Sequence, residues 1–217
     1  MNFFEFPIAI KRYAENHTSE EDKILHELYR TTHLKTIHPQ MLSGKVQGQF
    51  LSMLSQMLQP RTILEIGTFT GYSAYCLSKG LSKEGAITTI EVNEEMEEMV
   101  LNFFEEAGIS EKTNLLIGDA LELIPTLDKN FDLVFIDANK EHYVTYYELC
   151  IEKIRPGGFM IVDNVLWGGK VAESPTQDES TRKVHEFNEI VTSDPRVENV
   201  FLTIRDGLML IRKRYFV

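Results

Sequence analysis

From Pro60 onward the chain follows a pattern that few folds can satisfy, in which short β-rich runs alternate with amphipathic segments of helical length. The runs are residues 62–67, 87–92, 114–118, 133–137, 159–163, 200–204 and 208–211. Strands separated by a helix-length crossover pair in parallel, so the alternation predicts an α/β architecture built of βαβ units around a mainly parallel, seven-stranded sheet. The last two runs are joined only by Arg205-Asp206-Gly207, too short for a crossover helix, and must form an antiparallel hairpin at one edge. Between the second and third runs a helix is clearly written. Asn93 is its N-cap, Glu94 and Glu95 sit in the dipole-favoured first turn, Met96, Met99, Val100, Phe103, Phe104 and Ala107 share one face, and Gly108 stops it.

Residues 1–59 read differently, as a helical segment placed before a core of residues 60–217. The stretch Thr18-Ser19-Glu20-Glu21-Asp22 reads as a helix start with Thr18 as the cap, and Ile24, Leu25 and Leu28 supply its apolar face. A second helix over 44–58 places Val46, Phe50, Leu51, Leu54, Met57 and Leu58 at helical spacing. No repeat or Pro/Gly/Ser-rich linker divides the 217 residues, and a chain of this length buries a full core, so a single domain is expected.

Charge and cysteine usage narrow the partners. With 33 Asp and Glu against 22 Lys and Arg, the net charge of -11 repels phosphate backbones, and nucleic acid is not expected as a partner. Cys76 and Cys150 form no CxxC or Cys/His cluster, so neither a disulfide framework nor a structural zinc site is indicated and a cytoplasmic location is expected. The start, with Phe3, Phe4 and Phe6, carries Glu5 and has no apolar run of signal-peptide or membrane-span length. Those phenylalanines are read as packing against the body or a second subunit.

Two constellations can carry chemistry. The first is Leu64-Glu65-Ile66-Gly67-Thr68-Phe69-Thr70-Gly71-Tyr72-Ser73, a strand entering a glycine loop and then a helix, where open α/β sheets bind nucleotides. Glu91 ends the next strand about twenty residues on, where an acid accepts the hydrogen bonds of a ribose diol. The loop reads E-x-G-x-x-x-G, not the G-x-G-x-x-G that seats a pyrophosphate, and an acidic Glu65 suits a ligand bearing an ammonium group. S-adenosylmethionine has that group. An NAD-linked oxidoreductase is the competing reading, and a fold kept for binding without turnover is the other.

The second constellation gathers oxygen ligands at strand ends: Asp137 after Val134-Phe135-Ile136, and Asp163 with Asn164 after Met160-Ile161-Val162. If those strands are neighbours, ~4.8 Å apart, two carboxylates and an amide converge as hard ligands for a cation such as Mg²⁺. Capped loops and Asx turns are the plainer alternative. Lys140, three residues past Asp137, is a candidate base or an ordinary surface lysine. The six histidines show no paired ligand spacing, and Trp167 is either a pocket wall or core.

With these segments read, the chain resembles the class I S-adenosylmethionine-dependent methyltransferases, and within them the cation-dependent O-methyltransferases that act on caffeoyl-CoA and catechols. The resemblance rests on Gln40-Met41-Leu42-Ser43-Gly44, the glycine loop, Glu91, Gly118-Asp119-Ala120, Phe135-Ile136-Asp137-Ala138-Asn139-Lys140 with Tyr143, Pro156-Gly157-Gly158, Asp163-Asn164-Val165-Leu166-Trp167-Gly168-Gly169 and Asp206-Gly207. It implies a Rossmann-like sheet with helices on both faces and an antiparallel last strand. It also implies that Glu65, Gly67, Thr68 and Ser73 hold the methionine end of S-adenosylmethionine, that Glu91 holds the ribose, that Asp119 and Ala120 border the adenine, and that Met41 and Ser43 close over the cofactor. Asp137, Asp163 and Asn164 would bind the divalent cation, Mg²⁺ with Mn²⁺ or Ca²⁺ as alternatives. Asp137 would also border the cofactor and act with the base Lys140. The implied acceptor is a small aromatic diol, and the implied assembly a homodimer. Two positions depart from the family pattern: Asn139 replaces the second acid of D-A-D-K, and Gly168 stands where plant caffeoyl-CoA enzymes often carry Asn.

Overall fold

A computed structural model describes residues 8–127, 130–173 and 178–215. The strands are β1 Thr62–Ile66, β2 Ala86–Glu91, β3 Thr113–Ile117, β4 Phe131–Ile136, β5 Ile154–Asp163, β6 Val197–Leu202 and β7 Leu208–Lys213. The helices are α1 Ile8–Asn16, α2 Lys23–Lys35, α3 Gly44–Leu58, α4 Tyr72–Ser78, α5 Glu97–Glu106, α6 Ala120–Thr126, α7 Tyr143–Lys153, α8 Lys170–Glu173 and α9 Glu179–Ser193. The strands form one seven-stranded sheet in the order β3-β2-β1-β4-β5-β7-β6. All seven anticipated strands are present, and β7 runs antiparallel to β6, as their short connection demands, and to β5 as well.

The chain divides into two compact units. The first comprises residues 62–66 and 120–215 of the described chain. Its centre is the pair β4–β5, whose inner residues Val134, Phe135, Met160 and Ile161 are fully buried. Apolar residues run without alternation along these strands because both faces are covered. Parallel registration sets Ile136 opposite Val162, so the next residues, Asp137 and Asp163, leave the sheet side by side at its carboxyl edge. Strand β5 starts at Ile154, earlier than expected. Pro156-Gly157-Gly158 looks like a turn in sequence, yet the strand runs through it, with the pairing to β4 slipping between Phe131 and Leu133.

The second unit comprises residues 8–61 and 67–119. Helices α3 and α4 lie so close that a Cβ on Gly80 would stand 2.0 Å from the Ser55 backbone, and Ser55 Oγ donates to the Leu77 carbonyl at 2.6 Å. The start of α2 corrects the sequence reading. Asp22, not Thr18, is the cap, accepting from the Leu25 amide at 3.2 Å, while the Thr18 hydroxyl donates back to Ala14 and closes α1. The carboxylate wins because it also accepts from Tyr75 at 2.8 Å and Lys79 at 2.9 Å, tying α2 to α4. Helix α1 itself is absent from the sequence reading, and the phenylalanines at 3, 4 and 6 lie outside the described residues. Helix α3 spans the predicted residues. The segment after Asn93 opens as a 3-10 turn over Glu94–Met96 before α5, with Asn93 accepting from the Glu95 amide as expected. No described helix is long and apolar enough to cross a membrane.

Candidate active site

In the second unit the glycine loop is fixed chiefly by backbone. The amides of Gly67 and Thr68 both donate to the Ile90 carbonyl, at 2.9 and 3.2 Å, and the Gly71 amide closes a turn onto Thr68. Gly67 and Gly71 have φ of 96° and 91°, a region where L side chains are strained. At Gly71 space is short as well, since a Cβ would meet the Phe104 ring at 2.7 Å. The Thr68 hydroxyl is hydrogen-bonded to that of Thr89 at 2.5 Å, both buried, and Thr32 on α2 donates to Thr70 within the loop at 3.2 Å.

Glu91 is the loop's anchor. One carboxylate oxygen accepts from the Phe69 amide at 2.7 Å and the other from the Asn93 amide at 2.9 Å. A carboxylate offers about four lone-pair sites, so these two hydrogen bonds do not exhaust its capacity to accept. Ser73 is buried in α4, Ser43 is buried one residue before α3, and Met41 lies 55% exposed in the short turn Pro39–Met41. Asp119 is exposed.

In the first unit, Glu65 is buried within β1, and Ala120 is buried at the start of α6. Asp137 follows β4, its amide bonded to the Ile66 carbonyl at 2.9 Å. Its Oδ1 accepts from Lys140 Nζ at 3.0 Å, with both side chains 18% exposed, so the lysine is turned inward and not into solvent. Its other oxygen is not taken by this pair. Asn139 accepts from the Glu141 amide and caps the turn Lys140–His142, a local task that an amide performs as well as the family's acid. Tyr143, buried beneath Lys140, donates to the Asp163 carbonyl at 2.8 Å, and burial followed by the neighbouring carboxylates raises its phenol well above the ordinary range. Asp163 is buried, and Oδ1 accepts from the Asn164 amide at 2.7 Å. Asn164 takes a left-handed φ of 57°.

The donor set Asp137, Asp163 and Asn164 is all oxygen and hard, which fits a divalent cation of the Mg²⁺ kind and not a zinc-type site. Among the described residues no group of three or more His, Cys, Asp or Glu gathers around a metal position, so an amide would have to be the third protein ligand. Tyr143, Thr89, Thr32 and the support that Asp206 gives Asn164 were not assigned roles by the sequence reading. Trp167, half-buried at a φ of 50°, has an indole N–H that is buried with no hydrogen-bond partner.

The family model for O-methyltransferases matches residues 15–214. The chain belongs to that family. Among curated relatives it is 33% identical over 208 residues to a caffeoyl-CoA O-methyltransferase from Stellaria longipes, covering 90% of this chain and 85% of that one. It is 34% identical to a flavonoid 3',5'-methyltransferase from Vitis vinifera, over 78% of this chain and 77% of that protein. Among solved structures, the O-methyltransferase TomG from Streptomyces achromogenes, in complex with SAM, aligns with a TM-score of 0.87 at 30% identity over 95% and 96% of the two chains. This O-methyltransferase is thus an enzyme that uses S-adenosylmethionine on a Rossmann-like sheet.

Proposed function

We propose that this O-methyltransferase moves the methyl group of S-adenosylmethionine to one hydroxyl of a small aromatic vicinal diol, with a divalent cation on Asp137, Asp163 and Asn164. The observation that carries the reading is Lys140 held inward on Asp137, beside Asp163 at the carboxyl ends of two neighbouring strands. The relatives' named acceptors, caffeoyl-CoA and a flavonoid, are phenolic, in keeping with this class.

When bound, the cofactor supplies an electrophilic methyl and the cation supplies Lewis acidity toward a phenolic oxygen. Glu91 would hold the ribose, and Glu65, Gly67, Thr68 and Ser73 the methionine end, with Met41, Ser43, Asp119 and Ala120 along the rest. Asp137 would border both cofactor and cation, and its carboxylate orients Lys140. Lys140 Nζ takes the hydroxyl proton, and its 3.0 Å hydrogen bond to Asp137 keeps it at that place until the acceptor arrives. No covalent enzyme intermediate is required, so the protein's contribution is placement of the reacting groups, which can supply ~7–11 kcal/mol. The reading includes a homodimer, by family analogy, and a cytoplasmic location, which suits the buried thiols of Cys76 and Cys150.

The test is methyl transfer from labelled S-adenosylmethionine to caffeate and 3,4-dihydroxybenzoate, each with Mg²⁺ and with EDTA in its place. Transfer that needs Mg²⁺ is expected. Transfer that survives EDTA would remove the cation from the reaction, and failure with every diol, in protein that binds the cofactor, would remove this acceptor class.

A further inference from the structure

The loop that follows β5 is held by a distant stretch of the same unit, the turn between β6 and β7. Asp206 makes most of the attachment. Its Oδ1 accepts from the Gly168 amide at 2.6 Å, its Oδ2 accepts from Asn164 Nδ2 at 3.3 Å, and its main-chain carbonyl accepts from the Leu166 amide at 2.8 Å. The neighbouring Gly207 carbonyl takes the Val165 amide at 3.3 Å. Position 207 admits only glycine, since φ is +84° and a Cβ would stand 2.9 Å from the Leu166 nitrogen.

The chemistry of this contact sets the orientation of Asn164. An ionised carboxylate only accepts hydrogen bonds, so the end of the amide facing Asp206 must be its NH₂. The amide oxygen is thereby directed away from Asp206. That matters because an amide oxygen is a hard cation ligand, whereas an amide NH₂ has no lone pair to give. With the amide reversed, the third ligand position would present N–H groups to a cation.

We infer that Asp206 is a positioning residue for the cation site, selecting the orientation of Asn164 in which oxygen is offered beside Asp163. The inference rests on the proposed cation reading of Asp137, Asp163 and Asn164. A partner that orients a ligand in this way is worth about 10- to 100-fold in metal affinity.

The test reads Mn²⁺ binding by calorimetry on the full chain with S-adenosylmethionine present and no acceptor. Asp206→Ala should weaken Mn²⁺ by about tenfold or more while cofactor affinity stays as in the wild type. A loop merely loosened by that change is separated by a swap. In Asn164→Asp two carboxylates face each other across the 3.3 Å contact, so Mn²⁺ binds no better than wild type despite the added charge. Adding Asp206→Asn restores the hydrogen bonds in mirror image, the new amide accepting from the Gly168 N–H and donating to the new carboxylate at position 164. The double variant should raise the affinity about tenfold above the single one. Wild-type Mn²⁺ affinity in Asp206→Ala, or a swap no better than Asn164→Asp alone, would overturn the inference. A wild-type protein that binds no Mn²⁺ would instead bring down the cation reading itself, and this inference with it.

Discussion

The glycine loop and the loop after β5 do comparable work by opposite means. Around Glu91 the geometry is made chiefly by main-chain amides: Gly67, Thr68, Phe69 and Asn93 all donate to strand β2 or to the carboxylate at its end, with Thr32 and Thr89 adding hydroxyl contacts. Around Asn164 it is made by a distant turn, the Asp206 carboxylate above all, with the Asp206 and Gly207 carbonyls beside it, forty-odd residues downstream by the numbering. A backbone-built cradle suits a cofactor whose shape does not change between substrates. A loop pinned at its root by a hairpin turn keeps Asn164 in place, which suits the proposed acceptor site.

If that division is right, damage to the two regions should separate affinity from turnover. The largest effect is expected for Lys140→Ala, which removes the proposed proton acceptor and should lower single-turnover rate by about 10²- to 10⁴-fold. Cofactor affinity, measured by calorimetry on the same protein, should be unchanged. A Lys140→Ala enzyme that binds S-adenosylmethionine poorly would break the comparison, and one of normal rate would take the lysine out of the reaction.

Glu91→Ala should do the reverse. It leaves the Phe69 and Asn93 amides without their acceptor, at ~1 kcal/mol or more each, and takes away the proposed ribose contact. Cofactor affinity should fall by about 10- to 100-fold, with turnover at saturating cofactor changed little. Equal losses in both quantities would show that the loop takes part in the chemical step.

The same contrast separates what the amino-acid sequence makes legible from what it does not. The strands were legible because apolar runs such as Val134-Phe135-Ile136 alternate with helix-length segments, whereas the pairing of β4 with β5, which sets Asp137 beside Asp163, stands in the sequence only as a condition. Glu91 was legible because its spacing from Gly67 is fixed by one βαβ turn. Asp206 was seen only as part of a hairpin connection, since nothing in Arg205-Asp206-Gly207 says which distant loop its carboxylate will meet. Thr18 was misread as a cap for a related reason: Asp22 is the better acceptor only because Tyr75 and Lys79 come to it from α4. The Thr32–Thr70 contact joins a helix to a loop 38 residues away and leaves no periodic trace.

That contact gives a smaller and sharper test. Thr32 is buried, and its hydroxyl donates into the glycine loop. Thr32→Val keeps the shape and strands the Thr70 oxygen, for about 1 kcal/mol. If the loop's geometry serves the cofactor alone, KM for S-adenosylmethionine should rise by about fivefold with kcat unchanged, and Thr32→Ser should restore it. A fall in kcat with KM unmoved would place this loop on the wrong side of the comparison.

The smallest effect is expected where neither constellation is touched. Asp194, which accepts from Tyr147 at 2.8 Å and pairs with Arg196 at 2.7 Å, is drawn two ways. Burial raises its carboxyl, but the hydrogen bonds from Arg196 and Tyr147 outweigh it and hold the group at about 2. A carboxyl depressed below its unfolded value of about 3.9 adds stability above that pH and loses it as pH falls toward 2. Asp194→Asn should therefore lower Tm near neutrality and narrow its distance from the wild type between about pH 4 and 2, while leaving KM and kcat alone. A gap that stays constant through that range would show that the aspartate acts by shape and not by charge, and a change in either kinetic constant would tie this ion pair to the site.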